Sequence, residues 1–114
     1  MMYSLPAQKG LHRYSFQIFE IITDGTPTYH AYSEDGLSRD GWRFSTAIKE
    51  IDSTTELNGV VFYHWETKSG STYICHNYVD YGFENIEQLR DWFKGDSIRS
   101  LDEEEFKEWL INFR

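Results

Sequence analysis

The chain predicts an α+β domain: a mostly antiparallel four-stranded sheet with two or three helices on one face, in the order ββαββα plus a C-terminal helix. Three observations lead there. Two apolar stretches are each interrupted by a glycine turn and resume beyond it, short segments with helical spacing follow each pair, and residues 100–114 read as a capped amphipathic helix. A chain of 114 residues suits one domain that can bury a core without disulfides or metal. Residues 1–11, with Pro6 and Gly10, read as a loose leader and 12–114 as the folded unit.

In the first stretch Tyr14, Phe16, Ile18 and Ile22 alternate with Ser15 and Gln17, while Phe19 and Ile21 make the second side apolar too, as in a central strand. Asp24-Gly25-Thr26-Pro27 breaks it. Because Asp-Gly tolerates positive φ, residues Thr28 to Ser33 are expected to return antiparallel. The polar loop 34–41 holds two glycines with Asp35 and Asp40 and is the best loop candidate for function. Trp42 and Phe44 then form a short extended piece, Ser45 caps a brief helix through Ala47, Ile48 and Ile51, and residues 53–58 end that element.

The second half has the same grammar. Gly59 to Thr67 is a strand, Lys68-Ser69-Gly70 turns, and Ser71 to Val79 returns. After Tyr81 and Phe83, Asn85 caps a helix with Ile86, Leu89 and Phe93 on one face and Trp92 at its margin, which Gly95 stops. A ββα duplication would explain the likeness of the halves, and coincidence in a small α+β domain competes with it. If the terminal helix leaves the open sheet face bare, several of Tyr29, Tyr32, Tyr63, Trp65, Tyr73 and Tyr78 form an aromatic patch there.

In the terminal helix Ser100 and Glu103 match a Ser-x-x-Glu capping box. Phe106, Trp109, Leu110 and Phe113 fall on one stripe, with Glu104, Glu108 and Ile111 opposite. Glu103 can pair with Lys107, whereas Glu104 and Glu108 repel each other one turn apart.

The charge narrows the partner. Nineteen acidic against eleven basic residues give a net charge of -8, which opposes binding to nucleic acid or anionic lipid and favours a basic partner. Aromatic residues make up 18%, so rings rather than aliphatic runs fill the core. Cys75 is the single cysteine, no apolar run approaches a membrane span, and residues 1–10 lack a signal-peptide stretch, so a cytoplasmic setting is expected.

No constellation names a reaction. Cys75 and His76 are adjacent and point to opposite faces of a strand. A two-residue Ser69-Gly70 loop would set His64 opposite Cys75 as a dyad, and an odd loop would instead put His64 and His76 on one face as a metal pair, with no zinc-type spacing to complete it. His12 and His30 join them as packing or surface histidines. Glu20, flanked by Phe19 and Ile21, is expected at an exposed strand end or paired with an arginine. Phosphate-binding glycine loops are absent. No catalytic residue, metal or cofactor is expected, and the chain does not read as an enzyme.

The leading expectation is a small acidic protein that binds and blocks a basic nucleic-acid-handling protein such as a nuclease. Immunity proteins against nuclease toxins and phage-encoded anti-defence inhibitors share this size and charge, and no motif carries the likeness further. Glu103, Glu104, Glu105 and Glu108, with Asp35 and Asp40, would mimic phosphate charge. Ile111, Trp42 and Trp92 would supply apolar contacts. Two other classes compete: a small-molecule binding or catalytic domain with an aromatic pocket around His64 and Cys75, and a structural or regulatory subunit of a larger assembly.

Overall fold

The structure is a computed structural model that describes residues 11–34, 42–79, 91–93 and 97–113. Among the described residues, eight strands and one full helix follow in chain order. They are β1 (Leu11–Arg13), β2 (Ser15–Thr23), β3 (Thr26–Glu34), β4 (Trp42–Phe44), β5 (Ile48–Leu57), β6 (Val60–Thr67), β7 (Thr72–Cys75), β8 (Ser97–Ser100) and α1 (Glu103–Phe113). Strands take 61% and helix 16% of the described residues, which makes the protein mostly β and overturns the α+β expectation. Instead of one four-stranded sheet there are two, in the orders β1-β7-β6-β5 and β4-β3-β2-β8.

The largest source of the difference is β5. Ala47, Ile48 and Ile51 have helical spacing, yet Ile48–Leu57 runs as a ten-residue strand antiparallel to β6. Its Ile48, Ile51, Thr54 and Thr55 are β-branched and stiff at χ1, which favours a pleated surface. Asn58 and Gly59 follow at φ 53° and 80°, the pair of positive φ angles that a two-residue hairpin turn requires, and Leu57 pairs with Val60 across it. Asp24 and Gly25, at φ 51° and 79°, make the same turn between β2 and β3, as expected.

The second expectation that fails is helices on one face only. Strand β2 is buried on both sides. Phe16, Ile18 and Ala31 face the space shared by the two sheets and α1. On the other side Phe19 and Tyr32 pack with Trp42, Phe44, Val79 and Ile98. Residues 91 and 92 are helical, and here Phe93 meets Phe44 at 5.6 Å and Trp92 stacks on Trp42 at 5.7 Å. Burying both apolar sides requires cover on both. The other residues of the expected helix from Asn85, and residues 1–10 of the expected 1–11 leader, lie outside the described residues, whereas Leu11 is not loose but pairs with Tyr73 in β1.

The terminal helix covers the shared face. Trp109 lies 5.6 Å from Tyr29, and Phe106 lies 5.3 Å from Tyr63 and 4.2 Å from Tyr78. Trp65, Tyr73 and Tyr32 are buried. The open aromatic patch foreseen for a bare sheet is therefore not formed.

One residue holds the two sheets and the helix in register. β1 runs on into β2, carrying the chain from a parallel pairing with β7 in the first sheet to the centre of the second. Phe16 bridges to Tyr78 at the crossing, and just beyond it β8 takes over as neighbour through Leu101 N–H to Ile18 O at 2.9 Å. Between these two pairings the Tyr78 hydroxyl accepts from Ile18 N–H at 3.1 Å and donates to Leu101 O at 2.7 Å. Tyr78→Phe is therefore expected to lower the free energy of unfolding by about 1–3 kcal/mol, since it strands the Ile18 N–H and leaves Leu101 O with the long bond from Gln17 Nε2 at 3.5 Å. The exposed ring of Tyr14 is the control: in urea unfolding, Tyr14→Phe should stay within about 0.5 kcal/mol of the parent.

Candidate functional site

Helix α1 begins differently from its expected Ser100 and Glu103 box. Ser100 is still in β8, and Leu101 continues the pairing to β2, so the helix cannot start before Asp102. The Asp102 carboxylate accepts from Glu105 N–H at 2.8 Å, while Glu105 Oε1 accepts from Asp102 N–H at 3.1 Å. This is a reciprocal capping box shifted by two residues.

The shift sorts the acids of the helix. Glu105 is committed to the fold: besides capping, its Oε2 accepts from Arg99 Nη1 at 2.7 Å. Arg99 Nε donates in turn to Glu20 Oε1 at 3.0 Å, and Glu20 Oε2 accepts from Tyr29 O–H at 3.0 Å. Glu20 is thus the arginine-paired strand residue the sequence allowed for. The Asp102 amide and then Arg99 hold the Glu105 carboxyl below the usual carboxylate range. Glu103, Glu104 and Glu108 are exposed and make no hydrogen bond or ion pair among the described residues.

Along α1, Glu104, Glu108 and Ile111 form an outward crest, and Ile111 is 75% exposed, the most of any large apolar residue described. A depression flanks the crest on each side. One, of about 230 Å³, is lined by Glu20, Tyr29, Arg99, Glu105, Glu108 and Trp109 among others, so the ion-pair network forms its wall. The other is an open groove of about 510 Å³ between α1 and the first sheet, walled by Tyr14, Tyr63, His76, Tyr78 and Phe106, with Glu103 and Lys107 from the helix.

Local geometry builds that groove. Asn77, two residues past β7 and at φ 66°, turns the chain so that Tyr78 points back at Phe106. His76 is packed between Tyr14, edge-on at 5.5 Å, and Phe62 at 4.9 Å. Burial, then the nearby His12, lowers the His76 pKa, which favours the neutral ring.

The remaining candidates fall elsewhere. Trp42 and Trp92 stack on each other on the far side of the second sheet, away from α1, and Trp42 stacks on Tyr32 at 5.6 Å. Asp35 and Asp40 lie outside the described residues. The β6–β7 loop has three residues, 68–70, so Cys75 pairs with Tyr63 and His64 with Ile74. That register sets His64 and Cys75 on opposite faces and removes the dyad. Both are buried, and burial raises the Cys75 thiol pKa far above its usual value, so it stays protonated and inert. The odd loop does place His64 and His76 on one face. Among the described residues, however, no three His, Cys, Asp or Glu side chains stand close enough to hold a metal ion. The groove centres one residue along from the pocket foreseen around His64 and Cys75. Its signal was readable as Tyr14, Tyr63 and Tyr78 flanking His76, but only the register brings these together.

Two predictions follow from these roles. Asp102→Ala should destabilise the protein by about 1 kcal/mol through loss of the cap, whereas Glu108→Gln should be neutral or slightly stabilising, since it relieves a like-charge pair, and Glu104→Gln near neutral, since the same relief is offset by the lost first-turn charge. Thermal unfolding of the three variants checks this. The second concerns pH. His30 is buried, its Nδ1–H donating to Ser45 O at 2.9 Å, and burial lowers its pKa as it does that of His76. Below about pH 6.5 the unfolded chain binds these protons more readily than the native one. Stability should therefore be full above that pH and fall as pH drops toward 5, with a shallower slope in His76→Asn, as read by urea midpoints at pH 7.5, 6 and 5. Comparison of the chain with protein-family models, with curated proteins and with solved structures finds no match.

Proposed function

We propose that the protein is a small acidic binding protein that docks onto and blocks a basic partner, of the kind whose own surface handles nucleic acid. The observation that carries this reading is the α1 crest. Glu104 and Glu108 stand one turn apart, about 6 Å along the axis, beside a 75% exposed isoleucine, and among the described residues neither carboxylate has a hydrogen-bond or ion-pair partner. Apart from the favourable place of Glu104 in the first turn, a like-charge pair beside an exposed apolar side chain adds nothing to the stability of the free protein. Against a basic surface the same pair gains, and Ile111 supplies the desolvated contact.

Glu103 extends the acidic surface toward the groove, and the net charge of -8 speeds encounter with a basic partner while opposing direct contact with nucleic acid. Glu105 leaves the binding set for the cap and Arg99. Trp42 and Trp92 form a separate surface on the far side of the second sheet. A cytoplasmic setting accords with a lone buried thiol, and no helix among the described residues is long and apolar enough to cross a membrane.

Affinity capture from the native cell with the parent chain and with Glu104→Lys/Glu108→Lys tests the reading. A captured protein whose nucleic-acid activity is suppressed by the parent, less so at higher salt, and is spared by the double variant is the expected result. Equal capture and equal suppression by the variant would sink it.

A further inference from the structure

The groove beside α1 has a composition of its own. Four aromatic side chains and a neutral imidazole wall about 510 Å³ of open space, and the rings meet at steep angles: Tyr14 against His76 at 85° and Tyr63 against Phe106 at 82°. Rings set edge to face form corners, and a corner presents the negative face of one ring beside the edge of another. Tyr14 is 54% and Val61 37% exposed, so the groove leaves apolar surface in water that the fold had no need to leave there.

Its charges lie on the helix side. Glu103 stands at the first turn of α1, and after burial it is the second cause of the raised Tyr63 phenol pKa, which puts its carboxylate within electrostatic reach of that ring. Lys107 lies one turn further along the same flank and is exposed. With His76 neutral, Glu103 and the π faces are the groups of the groove that attract a cation, and Lys107, one turn along, is the one that opposes it.

An aromatic corner with a carboxylate at its rim matches a planar cation. A guanidinium stacks on tyrosine faces while its N–H fork meets a carboxylate, which a compact ammonium does less well. Resting on the reading of α1 as the face for a basic partner, we propose that this groove receives an arginine side chain of that partner, stacked among Tyr14 and Tyr63 with its guanidinium on Glu103. The crest then steers and the groove selects. The acids of the crest answer any basic surface, whereas the groove answers one residue type at one distance from it.

The test uses the full chain and a capped tri-arginine peptide, followed by amide chemical shifts at 0.15 M salt, with the tri-citrulline peptide as the neutral isostere. Expected are saturable shifts at Tyr14, Val61, His76, Asn77 and Glu103, none with citrulline, and a dissociation constant raised roughly tenfold by Glu103→Gln and several-fold by Tyr14→Ala. Both residues are exposed, and the fold of each variant is checked by amide shifts away from the groove, since Tyr14→Ala also removes the ring edge on His76. Glu104→Lys/Glu108→Lys should leave the groove shifts in place, within about twofold in affinity at this salt. Failure of the crest and failure of the groove are thereby read separately. Equal binding of citrulline, or shifts confined to residues 104–111, would overturn the proposal.

Discussion

Tyr78 is the point on which the two sheets and the helix depend. The strand that runs through β1 and β2 changes neighbours there, from the end of β7 to β8, and a change of neighbour leaves backbone groups without a ladder partner. The phenolic hydroxyl stands in for the missing strand, accepting from Ile18 and donating to Leu101. Its ring does a second task. Stacked on Phe106 and edge-on to Phe16 at 4.9 Å, it ties the start of α1 to the centre of the core. A phenylalanine could supply the ring and not the hydroxyl, and a serine the hydroxyl and not its reach. The left-handed backbone at Asn77 is what aims this residue inward.

From that junction the surfaces follow. Because Phe106 and Trp109 are drawn onto Tyr78 and Tyr29, the opposite side of α1 faces solvent, and Glu104, Glu108 and Ile111 are left outside. Because Asn77 and Tyr78 leave the line of β7, a groove opens between helix and sheet. The acidic crest and the aromatic groove are thus two consequences of one packing arrangement. Arg99 keeps them apart from the rest of the charge by tying Glu105 and Glu20 to the fold.

Local chemistry made some elements readable. The Asp24-Gly25 turn, the doubly apolar β2, the β6–β7 hairpin and the buried stripe of α1 all follow from side-chain period and turn residues. Where the expectation failed, two local signals conflicted. Ile48 and Ile51 have helical spacing, whereas the β-branched run and Asn58-Gly59 favour a strand and a hairpin turn, and pairing with β6 decides for the strand. The cap of α1 was misplaced by two residues for a different reason. Ser100 is a good cap in isolation, but its backbone is engaged in pairing with Phe19, a contact 81 positions away that no window of sequence contains.

The sequence by itself determined that rings fill the core, that the chain carries a strong negative charge, and that α1 has an apolar side and an acidic one, since all three depend on composition and on the 3.6-residue period. The tertiary structure alone decided which acids are free and which are spent, because the cap moves from Ser100 to Asp102, and Arg99 bridges Glu105 to Glu20, only when β8 lies against β2. It also decided the groove. A loop of three residues rather than two sets Cys75 across from Tyr63, and that single step of register turns a possible dyad into buried packing and gathers Tyr14, Tyr63, His76 and Tyr78 around one open space. Side-chain period is local and legible, whereas register and strand exchange are set by contacts between distant segments.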